Sequence, residues 1–325
     1  MATGVGTYQT YQAIGNREDL EEAIYNISPT ETPFMTAAGR KKATNTKHEW
    51  QKDSLRAAAA NAQIEGDTPA NTTVVPTVRL FNTTQIASYT FDVSGTQQAM
   101  NPAGRAEEMA YQLTKYSREL KRDMEKALSG NNSYAAGTSG AARVTASLES
   151  WMSTNWTTQN ASPTSAASAG FSSTGTLAPV DATTVATVTE ANVKAIIRAC
   201  WTEGGEPDTL LVGPYNKVKV SGFSGILTNN IFQPASKSGQ AMIVAAADAY
   251  VSDFGTLKVV PSRFNRDRTI CVLDMEYWKV AYLRPFQSFP LAKTKDSMQR
   301  TVLAEFALVS ANEAASGKVA DLSVS

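Results

Sequence analysis

The chain has 325 residues, 42% of them hydrophobic and 18% charged, with 30 Lys plus Arg against 30 Asp plus Glu. That length allows one large domain or two modest ones, with enough apolar residues to bury a core. The formal net charge of zero argues against a dedicated nucleic-acid binder, which carries a basic excess, and removes the repulsion that keeps soluble monomers apart.

In chain order, residues 1–16 are rich in Gly, Thr, Tyr and Gln without amphipathic period, which predicts an arm that stays mobile or orders on a neighbour. Asn16 is a candidate N-cap for a short helix carrying Leu20 and Ile24, ended by Pro29 and Pro33. Residues 45–93 read as two long, mostly polar strands: one through NTKHEWQKDSLR, the other from about Val74 to Val93. Glu65-Gly66-Asp67 marks a turn between them. A two-stranded ribbon this polar has no core of its own and must lie on something else.

Asn101-Pro102 opens the strongest predicted helix, which runs to Gly130. Met109, Leu113, Tyr116, Leu120, Met124 and Leu128 recur at three- and four-residue spacing and form one apolar stripe. The opposite face offers the pairs Lys115/Glu119 and Lys121/Glu125. Residues 141–155 predict a shorter helix, and the Ser/Thr/Ala-rich stretch 157–187 a surface excursion or an unusual β-loop. Thr189 caps a helix with Val193, Ile196, Ile197 and Cys200 on one face, closed by Gly204-Gly205. With the strand TLLVG and a second short helix it predicts a separate α/β lobe. The later runs GTLKVVP, TICVLDMEYWKVAYL and QRTVLAEFALVSAN read as the sheet that the long helix covers.

Chemistry is sparse by comparison. The chain has one histidine, His48, read as an exposed ribbon residue and not as an acid–base group. Cys200 and Cys271 are not at metal-binding spacing and do not suggest a disulfide framework. Asp253-Phe254-Gly255 spells a kinase triplet, but the phosphate loop and catalytic-loop motifs that a kinase needs do not accompany it, so a turn is expected. The basic run Lys115, Arg118, Lys121, Arg122 and Lys126 is interleaved with Glu119, Asp123 and Glu125 and reads as a solvated helix face. Residues 1–30 carry no basic-then-apolar leader, and no apolar run approaches the ~18 residues that span a bilayer. Expected, then, are a cytoplasmic site of synthesis, no membrane partner, no cofactor, and no catalytic or metal-binding residue.

Several strings together resemble one family: SPTETPF, HEWQKDSLR, VSGTQQAM, SRELKRDMEKAL, GGEPDTLLVGP, DAYVSDFGTLKVVPSRFNRDR, and VLDMEYWKVAYLRPF with its continuation PLAKTKDSMQRTVLAEFALVSANEAASG. The chain resembles the major capsid proteins of tailed phages with the Hong Kong 97-like fold. It departs from them at Thr294-Lys295-Asp296, where the family often has a glycine, and in residues 157–187. The resemblance implies an α+β fold: an N-terminal arm (1–44), an extended E-loop β-ribbon (45–93), and a P domain with a spine helix (94–156). It continues with an excursion (157–188), an A domain (189–255) and a return to the P-domain sheet (256–325). It implies a non-enzymatic shell protein of the virion that assembles with itself into pentamers and hexamers. The further partners it implies are portal, scaffold or cement proteins, and packaged double-stranded DNA touched without sequence preference. Tyr8, Tyr11, Ile14, Trp50, Glu65 and Asp67 are the expected contacts between subunits. A phage tail or decoration protein, and a cytoplasmic α+β enzyme, are the competing readings; the first is disfavoured by the long helix between two β regions, the second by the missing polar cluster.

Overall fold

The computed structural model describes residues 30–66, 68, 71–100, 107–158, 170–223 and 248–324. The expected short helix at 16–28 and the Asn101-Pro102 cap lie outside these residues. The chain enters through a one-turn helix, α1 (Pro33–Ala37), then strand β1 (Gly39–Lys42). β2 (Lys47–Lys52) and β3 (Val78–Thr83) pair antiparallel, Lys52 opposite Val78. β4 (Gln85–Ser94) follows, with α2 (Gly95–Ala99) at its end.

The region read as one strand from Val74 to Val93 is therefore two, broken at Thr84. The buried Thr84 donates its N–H to Thr46 O (2.8 Å) and its hydroxyl to Glu305 (2.8 Å). These bonds turn the chain out of the β2–β3 ribbon and into a different sheet.

α3 (Glu108–Ser129) is the long helix, roughly 33 Å of regular rise. Leu120, Met124 and Leu128 are fully buried, as the apolar stripe requires. They pack on a four-stranded sheet ordered β1–β12–β13–β4, where β12 is Trp278–Pro290 and β13 is Ser297–Ser310. One face of β13, Val302, Ala304, Phe306 and Leu308, points into this core with Phe91 and Val93 of β4. The opposite face places Val309 against Ala281 and Ala43.

The predicted helix at 141–155 shrinks to α4 (Leu148–Trp151). The chain before it is held instead by isolated bridges, Ala135 to Val144 and Thr138 to Ala141. β5 (Asn155–Thr158) and a hairpin, β6 (Gly170–Ser172) with β7 (Gly175–Leu177), occupy part of the expected excursion. Phe171 of β6 stacks on Trp151, centroids 5.8 Å apart.

α5 (Glu190–Thr202), β8 (Thr209–Val212) and α6 (Pro214–Ser221) form as read. β9 (Ala249–Ser252) and β10 (Gly255–Pro261) flank the expected turn, and β11 (Ile270–Leu273) and β14 (Gly317–Ala320) complete a second sheet ordered β5–β14–β11–β8–β10–β9. The expectation that the three late runs all lie under the long helix is thus corrected: β12 and β13 do, whereas β10 and β11 join the α5 sheet. The physical reason is visible in β8 and β11. Leu211, Cys271 and Leu273 face the α3 core, while Leu210, Val212, Ile270 and Val272 face α5. Strands buried on both sides read as continuous apolar runs, and such runs do not say which sheet they belong to.

Candidate assembly surfaces

Two hairpins leave the packed body. The first is the ribbon rooted by β2 and β3. Its root is fastened: Asn82 is fully buried, its side-chain nitrogen donating to Leu308 O (2.7 Å) and Ala146 O (3.2 Å) and its oxygen accepting from Ala146 N (3.0 Å). Leu80 and Phe81 are buried beside it, Phe81 edge-on to Tyr134 and Phe171. Beyond the root the character reverses. Every described residue from Asp53 to Arg79 is exposed, including the apolar Leu55 (99%), Ile64 (80%) and Val74 (88%).

The second is the outer half of β12–β13. Its inner half is buried, but Phe286, Phe289, Leu291 and Met298 stand 37–51% exposed. An ion cluster around the buried Glu305 divides the halves. The Glu305 carboxylate accepts from Arg284 Nε (2.8 Å), from the Arg143 guanidinium and from the Thr84 hydroxyl. β12 slips register on either side of Arg284 at this level. Both arginines keep contact with solvent, their side chains 27% and 43% exposed, so losing Glu305 costs less than breaking a fully buried pair. Glu305→Ala is accordingly expected to lower stability by about 1–3 kcal/mol, read from the urea-unfolding midpoint.

Of the expected contact residues, Tyr8, Tyr11, Ile14 and Asp67 lie outside the described residues. Glu65 is exposed at the Glu65-Gly66 turn, where Gly66 has φ +82°. Trp50 is half-buried against its own chain: its indole N–H donates to Ser310 O (2.8 Å) and its ring lies 5.5 Å from that of Trp151.

The reading of His48 as exposed is corrected. It is buried at the ribbon root, its ring 5.8 Å from Trp50, and burial together with Lys41 lowers its pKa. Glu125 is corrected too. It is no surface partner of Lys121 but a buried carboxylate accepting the N–H groups of Phe34 and Met35 (both 2.8 Å). It thereby caps α1 from 90 residues away in sequence. Burial raises its pKa against those two hydrogen bonds. No spacing rule exposes either role, since each depends on a distant segment.

A third buried acid, Glu149 of α4, accepts from Arg266 (3.1 Å), while Lys318 donates to its backbone oxygen (2.7 Å). Arg266 also pairs with Asp181. Burial pushes the Glu149 pKa up to about 7, against the pull of Arg266 and Lys318. A carboxyl raised from 4.5 to about 7 holds its proton more tightly when folded. Its contribution to stability is full below pH 4.5 and is lost as pH rises through about 7. In Glu149→Gln the urea midpoint should fall less across that window than in the unsubstituted chain; parallel pH profiles would remove Glu149 as the cause.

Among the described residues, no group of three or more His, Cys, Asp or Glu is arranged to hold a metal ion. Cys200 and Cys271 are fully buried, and burial raises both thiol pKa values, that of Cys200 to about 12. Among the described residues, no helix is long and apolar enough to cross a membrane.

This arrangement, a packed two-sheet body with a long helix and fastened, outward-reaching hairpins, has clear structural likenesses. The capsid asymmetric unit of cyanophage A-1(L) is similar with a TM-score of 0.63 at 11% identity, covering 97% of this chain and 98% of that one. The capsid of a native GTA particle gives 0.60 at 11% identity, covering 99% and 100%. Mycobacterium phage Adephagia gives 0.59 at 12% identity, covering 95% of each. The class of the fold is therefore the α+β Hong Kong 97-like capsid fold. More particularly, the model of the SU10 major capsid protein family matches residues 4–323, and the chain belongs to that family. The major capsid protein of Escherichia phage Phieco32 is 34% identical over 122 residues, 37% of this chain. The match spans about a third of that curated relative's length, 35%.

Proposed function

We infer that this chain is the major capsid protein of a tailed phage, a non-catalytic subunit of the icosahedral head that encloses the genome. Family membership supports the reading, and one observation carries the mechanism. A ribbon whose root is buried and hydrogen-bonded carries a long stretch, residues 53–79, whose described residues are all exposed. A segment that leaves apolar side chains in water, yet is held rigidly at its base, is built to bury them on another molecule. In a shell that molecule is a neighbouring subunit. Many weak contacts repeated by symmetry then hold the assembly together.

In this reading β2, β3 and their connection are the E-loop, α3 is the spine helix, and the β1–β12–β13–β4 sheet with α3 forms the P domain. α5, α6 and the six-stranded sheet form the A domain. The A domain thus takes in strands from three stretches of the chain, β5, β8–β11 and β14, and not residues 189–255 alone. Residues 1–44 serve as the arm, its end docked through α1 and β1, with Tyr8, Tyr11 and Ile14 as contacts, and Glu65 and Asp67 act at the E-loop turn. Trp50 acts one step back, fixing the ribbon root on its own subunit.

The subunits meet in pentamers and hexamers, with portal and scaffold or cement proteins as further partners. Decoration proteins accompany the gp27 shell of phage G. The DNA inside is touched without sequence preference, in keeping with the chain's zero net charge. Light scattering on the purified chain tests the reading: particles of many subunits support it, and a stable 325-residue monomer under all assembly conditions opposes it.

A further inference from the structure

In sequence, three acids interleave the basic run of α3; the fold draws them away from it. Glu125 is buried beside α1, accepting the Phe34 and Met35 N–H groups. Asp123, the only exposed acid of the helix, accepts the Tyr89 hydroxyl of β4, and Glu119 lies near the same phenol. Seven residues of α3 are exposed, and four of them are cations: Lys115, Arg118, Lys121 and Lys126. Among the described residues, no carboxylate lies within ion-pairing distance of any of the four.

The sheet edge beside the helix adds to this ridge. Arg40 and Lys42 of β1 pair with Val280 and Tyr282 of β12, and residues paired across a sheet share a face. Val280 belongs to the core under α3, so Arg40 and Lys42 stand on that side of the sheet, both exposed. Further along β12, the Lys121 ammonium lies 5.8 Å from the Phe286 ring. Cations from two elements are therefore gathered on the α3 side of one sheet, in a chain whose net charge is zero.

Such a ridge suits a polyanion better than a protein. The other exposed residues of α3 are Ala110, Thr114 and Asp123, which give a partner chain no large apolar side chain to anchor on. Long, mobile cations on a rigid rod match a charge that is dense and continuous. Duplex DNA carries one phosphate per ~1.7 Å of axis. From Lys115 to Lys126 the helix rises about 16 Å, a span that faces roughly ten such charges.

We propose that the α3 side of the four-stranded sheet is the inner wall of the shell, where Lys115, Arg118, Lys121 and Lys126, with Arg40 and Lys42, hold phosphates of the packaged duplex. The proposal rests on the shell reading and adds to it which way the subunit faces. Contacts to phosphate carry no sequence information, so the same ridge serves any stretch of the genome.

Two measurements test it. A bulky amine-reactive reagent that cannot cross a closed wall should label Lys115 and Lys121 several-fold less in shells of the unsubstituted chain than in free subunits. Equal labelling in both overturns the proposal and leaves the shell reading intact. Binding of random-sequence duplex DNA by the free chain, titrated with salt, reads the contact itself. Lys115→Gln/Arg118→Gln/Lys121→Gln should keep the melting temperature and lower the slope of log affinity against log salt by between about 2 and 3. The control Lys219→Gln/Lys258→Gln/Lys293→Gln removes the same charge from other elements and should leave the slope nearly unchanged. A slope that does not fall, or that falls equally in the control, overturns the proposal. Protection in shells with an unchanged slope also overturns it, because an acidic protein or a neighbouring subunit then covers the ridge. Should the α3 variant not fold, Arg40→Gln/Lys42→Gln takes its place, with a fall of between about 1 and 2 expected. If the unsubstituted chain forms no shells, the shell reading fails, while the salt titration still decides whether the ridge holds DNA.

Discussion

Leu120→Asp should abolish folded subunit, while Lys121→Ala leaves the melting temperature nearly unchanged. Leu120 is 1% exposed, in the middle of α3, within the core shared by Phe91, Val302 and Phe306. An aspartate there loses the apolar burial of a leucine, ~2 kcal/mol, and buries a charge for which that core offers no cation. The charge costs several kcal/mol more. Against a total stability of about 5–15 kcal/mol, the sum removes most of the margin. Lys121 is exposed, its ammonium 5.8 Å from the Phe286 ring, so its loss should cost under about 0.5 kcal/mol. Circular dichroism melting of both variants reads the contrast. Equal tolerance of the two would mean that the stripe does not carry the fold.

Replacing residues 53–77 with a two-residue Asn-Gly turn should have the opposite profile: a folded subunit that builds no shells. Lys52 and Val78 are paired across the ribbon root, so a tight turn can join them without changing register. The root itself, with Asn82, Leu80 and Trp50, is retained. The removed segment contributes little to the subunit core, because its described residues are all exposed. Melting should therefore shift by no more than a few degrees, since under about 1 kcal/mol is at stake. Assembly should fail, with particles absent by light scattering. Loss of cooperative melting in this variant would place the ribbon in the subunit core and refute its assignment as a reaching element.

These two variants also separate what was legible in the sequence from what was not. The apolar stripe of α3 and the alternation of β13 are periodic, and both formed where the period placed them. α5 likewise followed its cap and its closing glycines. What stayed hidden was partnership. Glu125 reads as half of an exposed i,i+4 pair until α1 is brought to it from 90 residues away. His48 reads as ribbon surface until the Trp50 side of the root closes over it. The break at Thr84 depends on Glu305, a residue 221 positions further on. β11 is plainly a strand from its apolar run, but with both faces buried it carries no alternation to say which sheet it joins.

The candidate site divides along the same line. The ribbon's lack of a core was readable from polarity alone, and it pointed to assembly. How its root is fastened was not readable, because Asn82 meets Leu308 and Ala146 only once segments 226 and 64 positions away pack beside it.

The most direct test of the central claim is a cryo-electron microscopy reconstruction of particles assembled from this chain. The account predicts closed icosahedral shells of pentamers and hexamers, with α3 and the four-stranded sheet as a rigid body and residues 53–79 lying across an adjacent subunit. Open tubes, or closed particles in which residues 53–79 fold back onto their own subunit, would contradict it.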